Sequence, residues 1–160
     1  MISQIEQLNR LSLFEFPEYF SSLNVPNPES LRGLYKGYFV GPPWLRKMAV
    51  PLLAITGMGD WRGKSIDPGG KIINLVSTKR GLERKLPMKL IEQDSLIDGK
   101  PGLALSYEAS NPFPWPRIID ELRSIQPNLL LGMTITQVGP VQRLPLPFVL
   151  LEPSSGSTPS

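Results

Sequence analysis

Residues Gly33 to Lys64, GLYKGYFVGPPWLRKMAVPLLAITGMGDWRGK, decide the fold. The stretch opens on a Tyr- and Phe-rich strand pattern, Leu34 to Val40, which stops at Gly41-Pro42-Pro43. Trp44 to Ile55 then has helical composition (Leu45, Met48, Ala49, Leu52, Leu53), with Pro51 imposing a kink or a fresh start. After Gly57 the apolar period changes to two, and Gly59-Asp60-Trp61-Arg62-Gly63 leads into a strand over Trp61 to Ile66. A large flat ring between two glycines suits a place where a barrel closes and backbones must come close together.

The rest of the chain reads outward from that point as short strands joined by turns. Asp67-Pro68-Gly69-Gly70 is a turn, and Ile72 to Thr78 is β-branched and apolar. Leu86, Met88 and Leu90 alternate with Lys85, Pro87 and Lys89, and Pro87 marks an edge or a bulge. Asp98-Gly99-Lys100-Pro101-Gly102 is a hairpin turn, beyond which Leu103, Leu105 and Tyr107 share one face. Asn111 to Pro116 is a rigid extended link. Ile118 to Ile125 reads as a short helix or turn with Asp120, Glu121 and Arg123 outward. Leu129 to Val138 is a long strand carrying Leu129, Leu131, Met133 and Ile135 on one side, and Leu146 to Leu151 closes the sheet.

Upstream, Ile2, Ile5 and Leu8 repeat at helical spacing, and Leu13 to Leu23 forms an aromatic cluster around Pro17 that suits a second short helix. Asn27-Pro28-Glu29-Ser30 reads as a capped helix start. The expected organisation is a helical extension or lid over 1–32, a β-barrel over 33–152 and a disordered polar tail over 153–160. The fold class is therefore mainly β with N-terminal helices: an antiparallel barrel of about seven to eight strands under a helical lid.

Composition narrows the chemistry. The chain has 160 residues, enough for one well-cored domain, with 18 prolines and 14 glycines spread between apolar runs, which disfavours a helical bundle. It contains neither Cys nor His, so thiolate nucleophiles, disulfides, Ser-His arrangements and the commonest metal ligands are excluded. Neither a metal nor a cofactor is expected. The net charge of +3 is dispersed without a basic block, so nucleic acid is not an expected partner. The N-terminus, MISQIEQLNRLS, lacks a signal-peptide pattern and no apolar run reaches the length of a membrane span, which gives a cytoplasmic expectation.

Gly59-Asp60-Trp61-Arg62-Gly63 resembles the motif of the bacterial GxWxG-domain proteins. Its Gly-x-Trp core also resembles the first-strand signature of calycins and lipocalins, where the Trp packs at the closed end of the barrel. Calycins carry that motif near the N-terminus, whereas nearly sixty residues precede it here, so either the helices are an added lid or Leu34 to Val40 is the true first strand. The resemblance implies a calycin-like barrel with a ligand in its mouth, and it implies no catalytic residue.

The expected function is binding of a hydrophobic lipid-, terpenoid- or polyketide-like molecule inside an apolar, roomy barrel. Trp61, Met88, Leu105, Tyr107, Leu131 and Met133 would line it, with Phe39 and Trp44 near the opening. Core packing is the competing reading for Trp61 and Tyr107. Arg62 and Lys64 alternate against Trp61 and read as a solvated outer face, or one of them meets a ligand carboxylate or phosphate. The alternative function is an enzyme that cyclises or isomerises such a molecule by confinement, with Tyr107 or Glu108 as acid or base. Two contacts beyond the ligand are considered: the 44–55 segment with Arg46 and Lys47 touching a membrane surface, and Phe14, Phe16, Tyr19 and Phe20 joining copies into a homo-oligomer.

Overall fold

The computed structural model describes residues 2–55, 58–139 and 145–153, with side chains over 4–49, 58–139 and 145–153. Eight strands follow one another around a closed wall: β1 (Gly33–Phe39), β2 (Trp61–Ile66), β3 (Lys71–Thr78), β4 (Gly81–Asp94), β5 (Pro101–Tyr107), β6 (Ile118–Gln126), β7 (Leu129–Thr136) and β8 (Leu146–Leu151). Every neighbouring pair is antiparallel, and β8 returns to β1 through Phe39 opposite Phe148 and Lys36 opposite Leu151. Closure removes both sheet edges, and eight strands leave an interior just wide enough to be filled by side chains or to hold one small ligand. The Leu34–Val40 pattern is the first strand, as one of the two sequence alternatives has it.

The turns form where their chemistry placed them. The Asp67 carboxylate accepts from the Gly69 and Lys71 amides, closing the β2–β3 turn with Gly70 at φ +81°. Asn27 caps a single turn of 3-10 helix (Pro28–Ser30) by accepting from the Glu29 amide. Pro87 falls at a bulge, where β3 and β4 slip register between Ile72 and Asn74. A proline in a barrel without edges needs such an irregularity.

A second bulge sets the interior. Trp61 pairs with Val76 and Gly63 with Leu75, so Arg62 is an extra residue in β2. Gly63 has φ +150°, and a Cβ there would overlap the Tyr35 carbonyl oxygen on β1. The extra residue shifts the alternation by one: Trp61 and Lys64 both point inward, and Arg62 points to solvent. The expectation that Lys64 alternates against Trp61 onto a solvated face is corrected by this bulge. Lys64 is 1% exposed.

Two further expectations fail because parts of the wall are covered on both faces. Ile118 to Ile125 is not a helix but most of β6, buried along six consecutive residues. Leu131 and Met133, expected to line the interior, point outward with Leu129 and Val149 beneath two helices, α1 (Ile2–Leu8) and α2 (Phe16–Ser22). These helices lie along the outer wall rather than over the mouth. Phe16 and Phe20 are fully buried there in the chain's own core, and Phe14 stays exposed. Arg123 of β6 stacks its guanidinium 4.6 Å from the Phe20 ring and donates to the Phe20 and Leu23 carbonyls, holding the C-terminal end of α2. The helical reading of Trp44 to Ile55 holds as α3 (Pro43–Ile55), between β1 and β2. The expected disordered tail lies outside the described residues from 154 onward.

Candidate functional site

The interior of the barrel is polar at its centre. The Lys64 ammonium reaches the Asn74 Oδ1 at 2.7 Å, the Asp120 Oδ2 at 3.1 Å and the Met88 sulfur at 3.3 Å. Trp61, Tyr107 and Phe148 place their rings 5.5, 5.7 and 5.9 Å from the same nitrogen. Asp120 is held in turn by the Thr134 hydroxyl, which donates at 2.8 Å. Asn74 accepts from the Trp61 indole N–H at 3.1 Å and donates to the Leu86 carbonyl at 3.0 Å. Every strand from β2 to β8 thus brings a side chain to a single cluster, β2 bringing both Trp61 and Lys64.

Two glycines make room for the rings. A Cβ at Gly37 would overlap the Trp61 ring, and one at Gly132 would overlap the Phe148 ring. Trp61 stacks at 5.4 Å on Phe39 and edge-on at 5.6 Å against Phe148. On the far side Trp115, brought in by a 3-10 turn (Trp115–Arg117), packs 4.8 Å from Tyr107. Between these walls remains a recess of about 50 Å³, bordered by Phe39, Met58, Trp61, Tyr107, Trp115 and Phe148, with Lys64, Asp120 and Thr134 as its polar part.

Burial governs the electrostatics. Desolvation pushes the Lys64 ammonium below its ordinary value of 10.5, against the pull of the Asp120 carboxylate, which favours the charged form. Desolvation, with the Asp120 charge adding to it, pushes the Tyr107 hydroxyl well above 10, while a hydrogen bond with Asn74 works the other way. Desolvation and the Asp120 charge both favour the neutral Tyr107 hydroxyl.

Of the eight residues expected to bind ligand, Phe39, Trp61 and Tyr107 border the recess. Met88 and Leu105 are buried in the barrel core, Met88 against Lys64. Leu131 and Met133 lie on the outer wall, and Trp44 is exposed on α3. Glu108, the other expected acid or base, follows β5 and does not border the recess. The interior is neither uniformly apolar nor roomy, contrary to the expectation. Sequence reasoning passed over Asn74, Thr134, Trp115 and Phe148, placed Asp120 outside, and read Lys64 as a solvated outer face or a contact for a ligand anion. A lone Asn in the run IINLVST was the available signal.

The fold and site define a closed, eight-stranded, up-and-down antiparallel barrel of calycin-like form with a polar, aromatic-walled recess. The sequence matches no protein-family model and no curated protein. Among solved structures it is similar to the crystal structure of a protein from Thermomonospora curvata, with a TM-score of 0.71 at 16% identity over 96% of this chain and 95% of that one. A likeness at that identity shows the shared fold. Among the described residues no helix is long and apolar enough to cross a membrane, and no three or more of His, Cys, Asp or Glu are grouped so as to hold a metal ion.

Proposed function

We propose that the barrel binds one small, mostly apolar molecule through a single polar atom. The observation that carries this reading is a buried Lys64–Asp120 pair bordering a recess walled by aromatic rings. A core filled for stability alone does as well or better with apolar side chains, because two buried charges lose hydration that their attraction only just repays. All three ammonium protons have acceptors, and the Met88 thioether is the weakest of them. A carbonyl or hydroxyl oxygen of a ligand takes that third proton, while its apolar body lies against Phe39, Trp61 and Trp115. With the pair neutral overall, an uncharged acceptor group fits better than a second carboxylate.

At about 50 Å³ the recess takes a polar head and not a whole lipid. The body of a larger ligand extends past Met58, at the end of the α3 connection. Native mass spectrometry of the freshly purified chain, with titration of an apolar fluorophore read through tryptophan quenching, tests the proposal. A bound mass, or saturable quenching that the Lys64→Met/Asp120→Leu double variant loses, is the expected result. Neither appearing would overturn it.

A second reading, chemistry on the bound molecule, is favoured by one feature: a buried proton donor and acceptor 3.1 Å apart in a chain that contains no His. Under it, cyclisation or isomerisation would use Lys64 and Asp120, with Tyr107 as a neutral hydrogen-bond donor.

A further inference from the structure

Strand order fixes which connections meet at each end of the barrel. β1, β3, β5 and β7 all run toward the end that holds the recess, so the links after them gather there. Among the described residues that end carries exposed Trp44 (55%) and Met48 (52%) on α3, Leu82 (61%) at the β3–β4 hairpin, Phe113 (77%) in the β5–β6 link and Val138 (40%) after β7. These side chains lie on four separate connections, and what sets this end apart is its exposed aromatic pair, Trp44 and Phe113, since the exposed apolar residues toward the other end are the aliphatic Val25, Leu34 and Leu96.

Charge is polarised along the same axis. The links at this end hold Arg46, Lys47, Lys79, Arg80 and Arg117 against Asp60 and Glu108, and Asp60 is paired with Arg62 at 3.2 Å. The described links at the opposite end and residues 152–153 hold Asp67, Asp98 and Glu152 against Lys100, and Asp98 is paired with Arg123 at 3.1 Å. The chain's net +3 conceals this separation.

We infer that the recess end of the barrel docks on an anionic phospholipid surface, with the basic links on the headgroups and Trp44, Met48 and Phe113 in the interfacial layer. A basic ring around protruding Trp and Phe side chains matches both parts of such a surface: negative headgroups attract the cations, and aromatic rings settle at the headgroup level. A nucleic acid would engage the cations and leave scattered aliphatic side chains such as Met48 and Leu82 without a role. The opposite end has no comparable excess of basic side chains, so the recess end is the one that faces the surface. Docking rests on the outer face of this end and is independent of what occupies the recess.

The test is flotation of the full chain with vesicles of phosphatidylcholine alone and of equal parts phosphatidylcholine and phosphatidylglycerol. Binding is expected with the anionic vesicles, falling as salt rises. Lys79→Glu/Arg80→Glu should weaken it by about tenfold or more. Trp44→Ser/Phe113→Ser should weaken it several-fold, and Leu96→Ser at the opposite end should leave it unchanged. All the substituted side chains but those of the recess are exposed, and circular dichroism checks that each variant is folded. The Lys64→Met/Asp120→Leu variant should float as the wild type does, which separates this inference from the proposed ligand. No flotation with either vesicle would overturn it. So would binding indifferent to Trp44→Ser/Phe113→Ser combined with equally tight, salt-sensitive binding of duplex DNA, which would mark a general polyanion patch.

Discussion

Replacing Lys64 by Met removes one charge from a pair whose side chains are only 2% and 4% exposed. The buried Asp120 carboxylate then keeps the Thr134 hydroxyl and loses its cation. Breaking a buried pair from one side costs about 3–5 kcal/mol. Asp120→Leu should cost a similar amount, since it strands the ammonium among Asn74 and three rings. The double variant removes both charges and restores an apolar core, so it should be near wild type or more stable by about 1–4 kcal/mol. Chemical denaturation followed by tryptophan fluorescence reads all four corners of the cycle. For a domain of this size each kcal/mol is about 2–4 °C, so each single variant should melt about 6–20 °C low. Their pH dependence separates the charges further. Below its lowered folded value Lys64 is charged in both states, and the native state carries the burial cost in full. Between that value and 10.5 the unfolded chain holds more protons, so stability rises with pH. Asp120→Leu removes the opposing carboxylate, lowers the Lys64 value further, and should gain more stability than wild type as pH rises from neutral toward 10.5. Losses in the double variant equal to the sum of the singles would refute the coupling and with it the argument that the pair is kept for a ligand.

Three other outcomes follow from particular contacts. Gly63→Ala should cost more than about 4 kcal/mol, since its φ of +150° and the Tyr35 carbonyl leave no place for a Cβ; thermal melting within 1 kcal/mol of wild type, on the order of 2–4 °C, would count against the bulge. Gly132→Ala should push the Phe148 ring into the recess, costing about 1–3 kcal/mol and abolishing probe quenching while the circular dichroism spectrum persists; unchanged quenching would show that the recess is not the binding place. Burial raises the Glu121 carboxyl above 4.5, against hydrogen bonds from Ser95 and the Leu96 amide, so its contribution is fully present below 4.5 and is lost as pH rises through the raised value. Glu121→Gln should therefore flatten that part of the stability profile, and an unaltered slope in denaturant titrations at successive pH values would contradict it.

The strands were legible because their boundaries are chemical. Asp67-Pro68-Gly69-Gly70 and Asp98-Gly99-Lys100 force turns whatever the surroundings, and Tyr, Phe and β-branched residues fill the runs between them. Facing was not legible. Alternation tells inside from outside only where one side meets water, and β6 and β7 are covered on both. Ile118, Ile119, Leu122 and Ile125 consequently fall at helical spacing by accident of double burial. In β2 the period itself breaks at Gly63, and every inference about Lys64 made by counting from Trp61 inherits that slip. The partner that stabilises Lys64 is Asp120, four strands away around the wall, and nothing near either residue in the chain announces the other.

Under the proposed function, that displaced lysine decides what kind of molecule the barrel would suit. A greasy, open interior would select by length, as a container for acyl chains. Here Trp61 and Phe148 occupy the space freed by Gly37 and Gly132, and behind them Lys64, Asn74 and Asp120 fill the middle. An apolar tail driven into that centre would strip the ammonium of its acceptors and gain nothing in return. A ligand that enters polar end first keeps every proton satisfied and leaves its apolar part at the aromatic rim, next to Met58 and the α3 connection. If the barrel binds as proposed, selection would be by the head group, with the body left near the end that carries Trp44 and Phe113.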